Sequence, residues 1–272
     1  VLALLEAQAE AAGARPPLIA LAAPTGKAAA RLEAAVRAGA ADMAVDAAVR
    51  ARLGALSGVT MHRLLGFNPG NRTRFRHHRL NRLPFDVVVV DEVSMVSLSL
   101  MARLLEAVRP DARLILVGDP EQLASVEAGA VLGDIVGPAS AGPCMSDAAR
   151  QHLAAVTGQR VPEGRRSPGA VGDGIVVLNK VHRFGRAIAL LAEAIQQGDA
   201  DAAIDALARG GSNVEWIATG PTEPADLEAL ATVRAAAVES GRSVIEAARA
   251  GDAASAIDAL GRFRLLCAHR HG

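Results

Sequence analysis

The chain has 272 residues, enough for one large domain or two ordinary ones with a sizeable core, and its formal net charge is zero. A neutral molecule has no overall field to draw it to nucleic acid, so any such binding must come from a local patch. Although 51% of residues are hydrophobic and mean hydropathy is +0.24, no window approaches the roughly 18 uncharged apolar residues of a membrane span, so a soluble protein is expected. Cys144 and Cys267 lie far apart without metal-ligand spacing, which supports neither a disulfide framework nor a zinc site and fits a reducing, cytoplasmic compartment.

Val1 to Ala12 carries Leu2, Leu4, Leu5 and many alanines, a helix without a cap in front of it; a first residue of Val in mid-pattern leads us to expect an internal piece of a longer chain. Gly13 and Pro16-Pro17 end that helix. Leu18 to Ala23 reads as a short buried strand, followed by Pro24-Thr25-Gly26-Lys27 and a helix from Ala28 to about Ala38. The turn between them can present backbone N–H groups to a phosphate. It is not a nucleotide-binding P-loop: in G-x-x-x-x-G-K-S/T the first glycine would fall on Leu21 and the hydroxyl on Ala28. Thr25 and Lys27 either contact a nucleic-acid phosphate or simply face water in the first helical turn.

From Ala47 to Phe85 there is no acidic residue, while Arg50, Arg52, Arg63, Arg72, Arg74, Arg76, Arg79 and Arg82 fall within it, joined by His62, His77 and His78. Phe67 and Phe75 punctuate the stretch, and Asn68-Pro69-Gly70-Asn71 marks a tight turn. A basic hairpin with aromatic residues suits single-stranded nucleic acid, with arginines on phosphates and rings for stacking. The alternative is a solvated surface hairpin in a chain whose basic residues are nearly all arginine.

Leu83 to Val90 then runs almost unbroken through apolar residues and stops on Asp91-Glu92. Four consecutive valines suit a parallel strand covered on both faces, and ligands of open α/β sheets bind outside the carboxyl ends of such strands. Paired carboxylates there can hold Mg²⁺ with one member and position water with the other. The competing reading is a helix start that Asp91 caps and Glu92 favours through the helix dipole. A helix from about Ser97 to Val108 follows, then a buried strand from Ala112 to Val117 that ends in Gly118-Asp119-Pro120-Glu121-Gln122. If the two strands are neighbours, Gln122 reaches the phosphate that Asp91 and Glu92 serve.

Residues 137–174 are rich in Gly, Pro, Ser and Ala and read as an exposed connection with one helix near Ser146 to Val156. Ile175 to Leu178 is expected to open a second unit as a strand or helix lead-in. A helix over Arg186–Gln197, a short helix over Asp201–Ala208, a strand over Asn213–Ile217 with Trp216 as a packing residue, two helices between Pro224 and Leu260 broken near Ser240-Gly241, and a strand over Arg262–Ala268 complete it. Taken alone, Arg183 reads as a surface residue near a helix start.

Four ordered segments between residues 18 and 136 carry a specific resemblance, and a fifth follows later in the chain. Asp91-Glu92-Val93-Ser94-Met95 and Gly118 through Gly129 resemble motifs II and III of the superfamily 1 DNA helicases, most nearly the RecD type, the family of exodeoxyribonuclease V alpha subunits. Ala23 through Leu32 is similar to motif Ia, and Thr60-Met61-His62-Arg63-Leu64-Leu65-Gly66 to the next DNA-contacting motif. His182-Arg183-Phe184 resembles motif IV. The resemblance implies a RecA-like P-loop NTPase fold of class α/β, a parallel sheet with flanking helices. The first motor domain, incomplete, would cover 1–136, a linker or insertion 137–174, and the start of a second RecA-like domain 175–272.

It further implies ATP and Mg²⁺ as cofactors, with Asp91 coordinating the metal, Glu92 polarising the attacking water, Gln122 sensing the γ-phosphate and Arg183 reaching it across a cleft. Thr25, Lys27, Thr60 and His62 would face single-stranded DNA, beside Arg72, Arg74 and Arg76 of the hairpin. The implied whole is an ATP-dependent 5′ to 3′ helicase working with RecB-like and RecC-like subunits in recombination and repair. The family's phosphate loop would precede Val1 and its motifs V and VI would follow Gly272. From a different class, the alternative is a DNA-binding or assembly module that has lost its ATPase and keeps the hairpin.

Overall fold

The computed structural model describes residues 1–68, 70–120, 122, 131–137, 145–159, 170–178, 185–211, 213–217 and 230–266. The chain divides into two compact units, Val1–Asn179 and Lys180–Gly272.

In the first unit, α1 (Leu2–Ala11) leads into β1 (Ile19–Ala23), and Thr25 caps α2 (Gly26–Asp42) by accepting the Ala28 N–H. Next, α3 (Ala47–Gly54) is capped by Asp46, and β2 (Gly58–Thr60) runs into the short α4 (Met61–Leu64), capped by Thr60. The hairpin β3 (Phe67–Asn68) and β4 (Asn71–Phe75) precedes β5 (Val87–Val90), a 3₁₀ turn at Val93–Met95, α5 (Leu98–Ala107), β6 (Arg113–Leu116) and α6 (Val131–Val136).

Strands β2, β1, β5 and β6 form a parallel sheet in that order. Every residue of β1 and β5 is buried, which explains why their sequences lack polar alternation. Period-2 side-chain alternation nevertheless sorts them between two layers. Ala20, Ala22, Val88 and Val90 pack with Met61, Leu65, Met101 and Leu104 on one side. Ile19, Leu21, Val87 and Val89 pack with Leu5, Val49 and Leu53 on the other. Each fully buried valine or leucine contributes about 1.5–3 kcal/mol.

Two polar clasps hold the frame. At the start of the central strands, Asp86 accepts the Leu18 N–H at 2.8 Å and pairs with Arg15 at 2.8 Å and Arg109 at 2.7 Å. The Leu18 hydrogen bond, acting against partial burial and assisted by Arg109 and Arg15, lowers the Asp86 carboxyl to about 2. At the edge strand, Glu33 of α2 accepts the Gly58 N–H at 2.9 Å, and that bond with Arg37 holds its carboxyl below the ordinary range. Helix and strand approach so closely there that a Cβ on Gly58 would stand 2.2 Å from the Ala29 carbonyl oxygen.

The helix near Ser146 forms as α7 (Asp147–Thr157), and the Ser146 N–H and hydroxyl both donate to the Asp173 carboxylate, at 2.6 and 2.9 Å. Ile175–Leu178 takes neither strand nor helix, with Val176 and Leu178 exposed, and it belongs to the first compact unit rather than opening the second.

The second unit's described residues form α8 (Arg186–Gln197), α9 (Ala200–Arg209), α10 (Ala231–Arg249) and α11 (Ala253–Arg262). Three expectations are corrected here. Helix α10 runs through Ser240-Gly241, because one interior glycine costs only about 1 kcal/mol. The break falls instead at Gly251, with φ +75°, followed by Asp252, whose carboxylate accepts the Ser255 N–H and caps α11. Asn213–Ile217 makes an isolated bridge, Gly211 to Val214, and Trp216 is half exposed rather than packed. Arg262 closes α11 through an ion pair with Asp258 at 2.6 Å, residues 263–266 have no regular structure, and 267–268 lie outside the described residues. A strand forms only where a neighbour supplies its ladder, and the described residues of this unit supply none.

Candidate nucleotide-hydrolysis site

Because β1, β2, β5 and β6 are parallel, the segments that follow them emerge at one edge of the sheet. Thr25 and Lys27 follow β1, Thr60 and His62 follow β2, Asp91 and Glu92 follow β5, and Gln122 follows β6. The sheet order makes β5 and β6 neighbours, the arrangement that the reading of Gln122 beside Asp91 and Glu92 requires.

Asp91 ends the ladder, its N–H donating to the Ala22 carbonyl at 2.9 Å. Its Oδ1 then accepts the Glu92 N–H at 2.9 Å. Glu92 adopts the left-handed conformation, φ 54° and ψ 42°, and is the sole non-glycine with positive φ among the described residues. That conformation costs roughly 1–2 kcal/mol, and its neighbours hold it in place. The Val93 N–H donates to the Val117 carbonyl at 3.0 Å and the Met95 N–H to the Glu92 carbonyl at 3.0 Å, folding the chain back over the end of β6.

The capping alternative fails on this geometry. Helix α5 starts at Leu98 and is capped by Ser97, while the 3₁₀ turn after Glu92 has no side-chain cap. Both carboxylates are half-buried, and none of the ion pairs among the described residues uses them.

This donor set fits a nucleotide-borne Mg²⁺. That ion is ordinarily held by one or two carboxylates plus phosphates and water rather than by a protein cage. Among the described residues there is no group of three or more His, Cys, Asp or Glu that could hold a metal ion.

The loop after β6 is built against the Glu92 turn. A Cβ at Gly118 would stand 3.0 Å from the Val93 nitrogen, 3.2 Å from the Ser94 nitrogen and 2.9 Å from Leu132 Cδ2. Gln122 is exposed, its N–H donating to the Asp119 carbonyl at 3.3 Å. Arg183 lies outside the described residues.

Among the residues expected to face DNA, the hydroxyls of Thr25 and Thr60 are engaged as helix caps at 3.2 Å each, a structural role that sequence reasoning did not assign them. Lys27 is exposed in the first turn of α2, and His62 is exposed on α4. His62 makes an edge contact with Phe67, ring centroids 5.3 Å apart at 88°, and a tilted one with Phe75. The hairpin is clamped to α4 by Arg76 N–H to Gly66 O at 3.1 Å and His77 N–H to Leu65 O at 3.0 Å. Gly66 is required there, with φ +71° and only 2.6 Å between a built Cβ and that of Arg76. Arg74 and Arg76 are exposed, whereas Arg72 is placed in β4 by backbone alone.

The left-handed Glu92, the buried Ser94 and the close approach at Gly118 escaped the sequence reading. A polar residue between Val93 and Val96, and a glycine two residues past an apolar strand, were the available signals.

A family model described as an AAA domain matches residues 1–165. The chain belongs to the AAA domain family. Along its full length this AAA-domain chain is 48% identical to "RecBCD enzyme subunit RecD" of Mycolicibacterium smegmatis, covering 42% of that protein. It is 49% identical to the protein of that name from Mycobacterium tuberculosis, covering 40% of it. Over 81 residues, 29% of the chain and 11% of the relative, it is 51% identical to "ATP-dependent RecD2 DNA helicase" of Deinococcus radiodurans. The chain thus spans about two fifths of the length of the full-coverage relatives it matches. No described helix is long and apolar enough to cross a membrane.

Proposed function

We propose that this AAA-domain chain is the water-activating part of an ATP-dependent 5′ to 3′ DNA helicase subunit. Its whole would act in the cytoplasm with RecB-like and RecC-like partners on single-stranded DNA during double-strand break repair. The observation that carries the reading is the placement of Asp91-Glu92 at the end of a buried central strand, directly beside the glycine-led loop bearing Gln122 on the adjacent strand. Residues 1–136 would act as the motor domain, the segment from 137 to 179 as a connection, and 180–272 as the start of a second RecA-like domain.

MgATP, when bound, supplies the γ-phosphoryl group and the charge that the metal neutralises. Asp91, whose Oδ1 accepts the Glu92 N–H, would hold the metal. The Glu92 carboxylate would accept the proton of the attacking water. Gln122, on the loop that follows the adjacent strand, would register whether the γ-phosphate is present, and the resemblance implies that Arg183 would stabilise the charge on it. Thr25, Lys27, Thr60 and His62 lie at the same sheet edge and carry the DNA strand, with Arg72, Arg74 and Arg76 on its phosphates.

The test compares two proteins. The full-length protein with its partner subunits should hydrolyse ATP faster with single-stranded DNA and unwind duplexes from 5′ overhangs. The 272 residues alone, which contain no G-x-x-x-x-G-K-S/T, should hydrolyse ATP negligibly. Unwinding from 3′ overhangs only, or DNA-stimulated turnover by the 272 residues at the full-length rate, would contradict the reading. A full-length protein that binds single strands without hydrolysing ATP would establish the non-catalytic alternative.

A further inference from the structure

Ser94 is buried, 7% exposed, and its Oγ has no hydrogen-bond partner among the described residues. It lies between the fully buried Val93 and the nearly fully buried Val96, in a layer of apolar side chains. An unpaired hydroxyl there carries its whole desolvation penalty, so packing alone gives no reason for a serine where alanine would fill the space at lower cost. Its place in the chain supplies the reason. Ser94 sits two residues after Glu92 in the turn closed by the bond from Met95 N–H to Glu92 O. The backbone of Gly118 lies so close that a Cβ would be 3.2 Å from the Ser94 nitrogen. One short turn therefore touches the proton acceptor on one side and the loop that leads to Gln122 on the other.

We infer that Ser94 is a positioning residue that couples these two loops. Its hydroxyl takes a hydrogen bond from or to the loop beginning at Gly118 when the nucleotide site is filled, so that the position of Gln122 sets that of Glu92. Ser94 touches neither nucleotide nor water and acts through its neighbours. The inference rests on the function proposed above.

The experiment uses the full-length protein with its partner subunits and the variants Ser94→Ala and Ser94→Thr. For Ser94→Ala the expected result is a loss of about tenfold in DNA-stimulated kcat, the scale of one lost hydrogen bond. KM for ATP should stay within about twofold, and more ATP should be consumed per nucleotide travelled. Its melting temperature should equal or exceed that of the parent, since an unpaired hydroxyl has been removed. Ser94→Thr, which keeps the hydroxyl, should recover most of the kcat. Unchanged kcat and coupling in Ser94→Ala would overturn the inference, and so would a kcat loss that tracks a lowered melting temperature. A parent without DNA-stimulated hydrolysis would remove the functional reading itself, whereas an active parent with an indifferent Ser94→Ala would remove this inference alone.

Discussion

Replacing Asp86 with Asn tests whether the clasp at the start of the central strands stabilises the first unit as its geometry implies. The carboxylate gains the Leu18 N–H and two guanidinium partners on folding, which lowers its pKa from an ordinary 3.8 to about 2. That interval corresponds to about 2.4 kcal/mol at 1.36 kcal/mol per pH unit. Asp86 is 24% exposed, and its partner Arg15 is 60% exposed, so solvent screening reduces the expected contribution to about 1–2 kcal/mol. Because the folded-state pKa is depressed, the stabilisation is fully present above about 3.8 and is lost as pH falls from there through about 2. Urea unfolding of the 272-residue chain and of Asp86→Asn, followed from pH 7 to pH 2, measures it directly. The two should differ by about 1–2 kcal/mol from neutral pH down to about pH 4 and converge between about pH 4 and pH 2. A difference that persists undiminished at pH 2, or no difference at pH 7, would refute the reasoning.

Two further expectations concern packing and DNA. Gly58→Ala forces a Cβ to within 2.2 Å of the Ala29 carbonyl, a backbone atom that cannot swing away, and should cost at least about 2 kcal/mol in urea unfolding; an unchanged midpoint would show that helix and edge strand separate freely. Replacing Arg72, Arg74 and Arg76 together with alanine should lower the salt slope of single-strand binding by about 2, since each phosphate contact on a single strand contributes roughly 0.7. Fluorescence anisotropy at several salt concentrations reads that slope, and an unaltered value would remove the hairpin from the DNA contacts.

What could be read from residue order was the part governed by local rules. Buried strands announce themselves by apolar runs: β1 formed within Leu18–Ala23, and β5 formed over only the last four residues of Leu83–Val90. The caps at Thr25, Thr60 and Ser97, whose hydroxyls each accept a first-turn N–H, obey the same local rules although the reading of Thr25 and Thr60 as DNA contacts passed over them. The carboxylate pair appeared where a parallel strand must deliver it.

The features that stayed hidden depend on distant partners. Glu92 turns left-handed where Val93 donates to Val117, the residue just past another strand, and nothing between Val87 and Met95 alone requires it. Which layer Val88 or Val89 enters was equally illegible, since a strand buried on both faces carries no polar phase to read. In the second unit, Asn213–Ile217 has the composition of a strand and Ser240-Gly241 that of a helix break. The first lacks a ladder partner among the described residues, and the second is outweighed by the rest of α10. Tertiary context decided both.

The central claim is that Glu92 activates water at a site whose metal is held by Asp91. Glu92→Gln in the full-length protein with its partner subunits tests it most directly, because the amide keeps the shape and cannot accept the proton. Single-stranded-DNA-stimulated hydrolysis should fall by about 10²–10⁴-fold, the usual contribution of a general base, while binding of a fluorescent ATP analogue with Mg²⁺ stays within a few-fold of the parent. Hydrolysis within a few-fold of the parent would contradict the account.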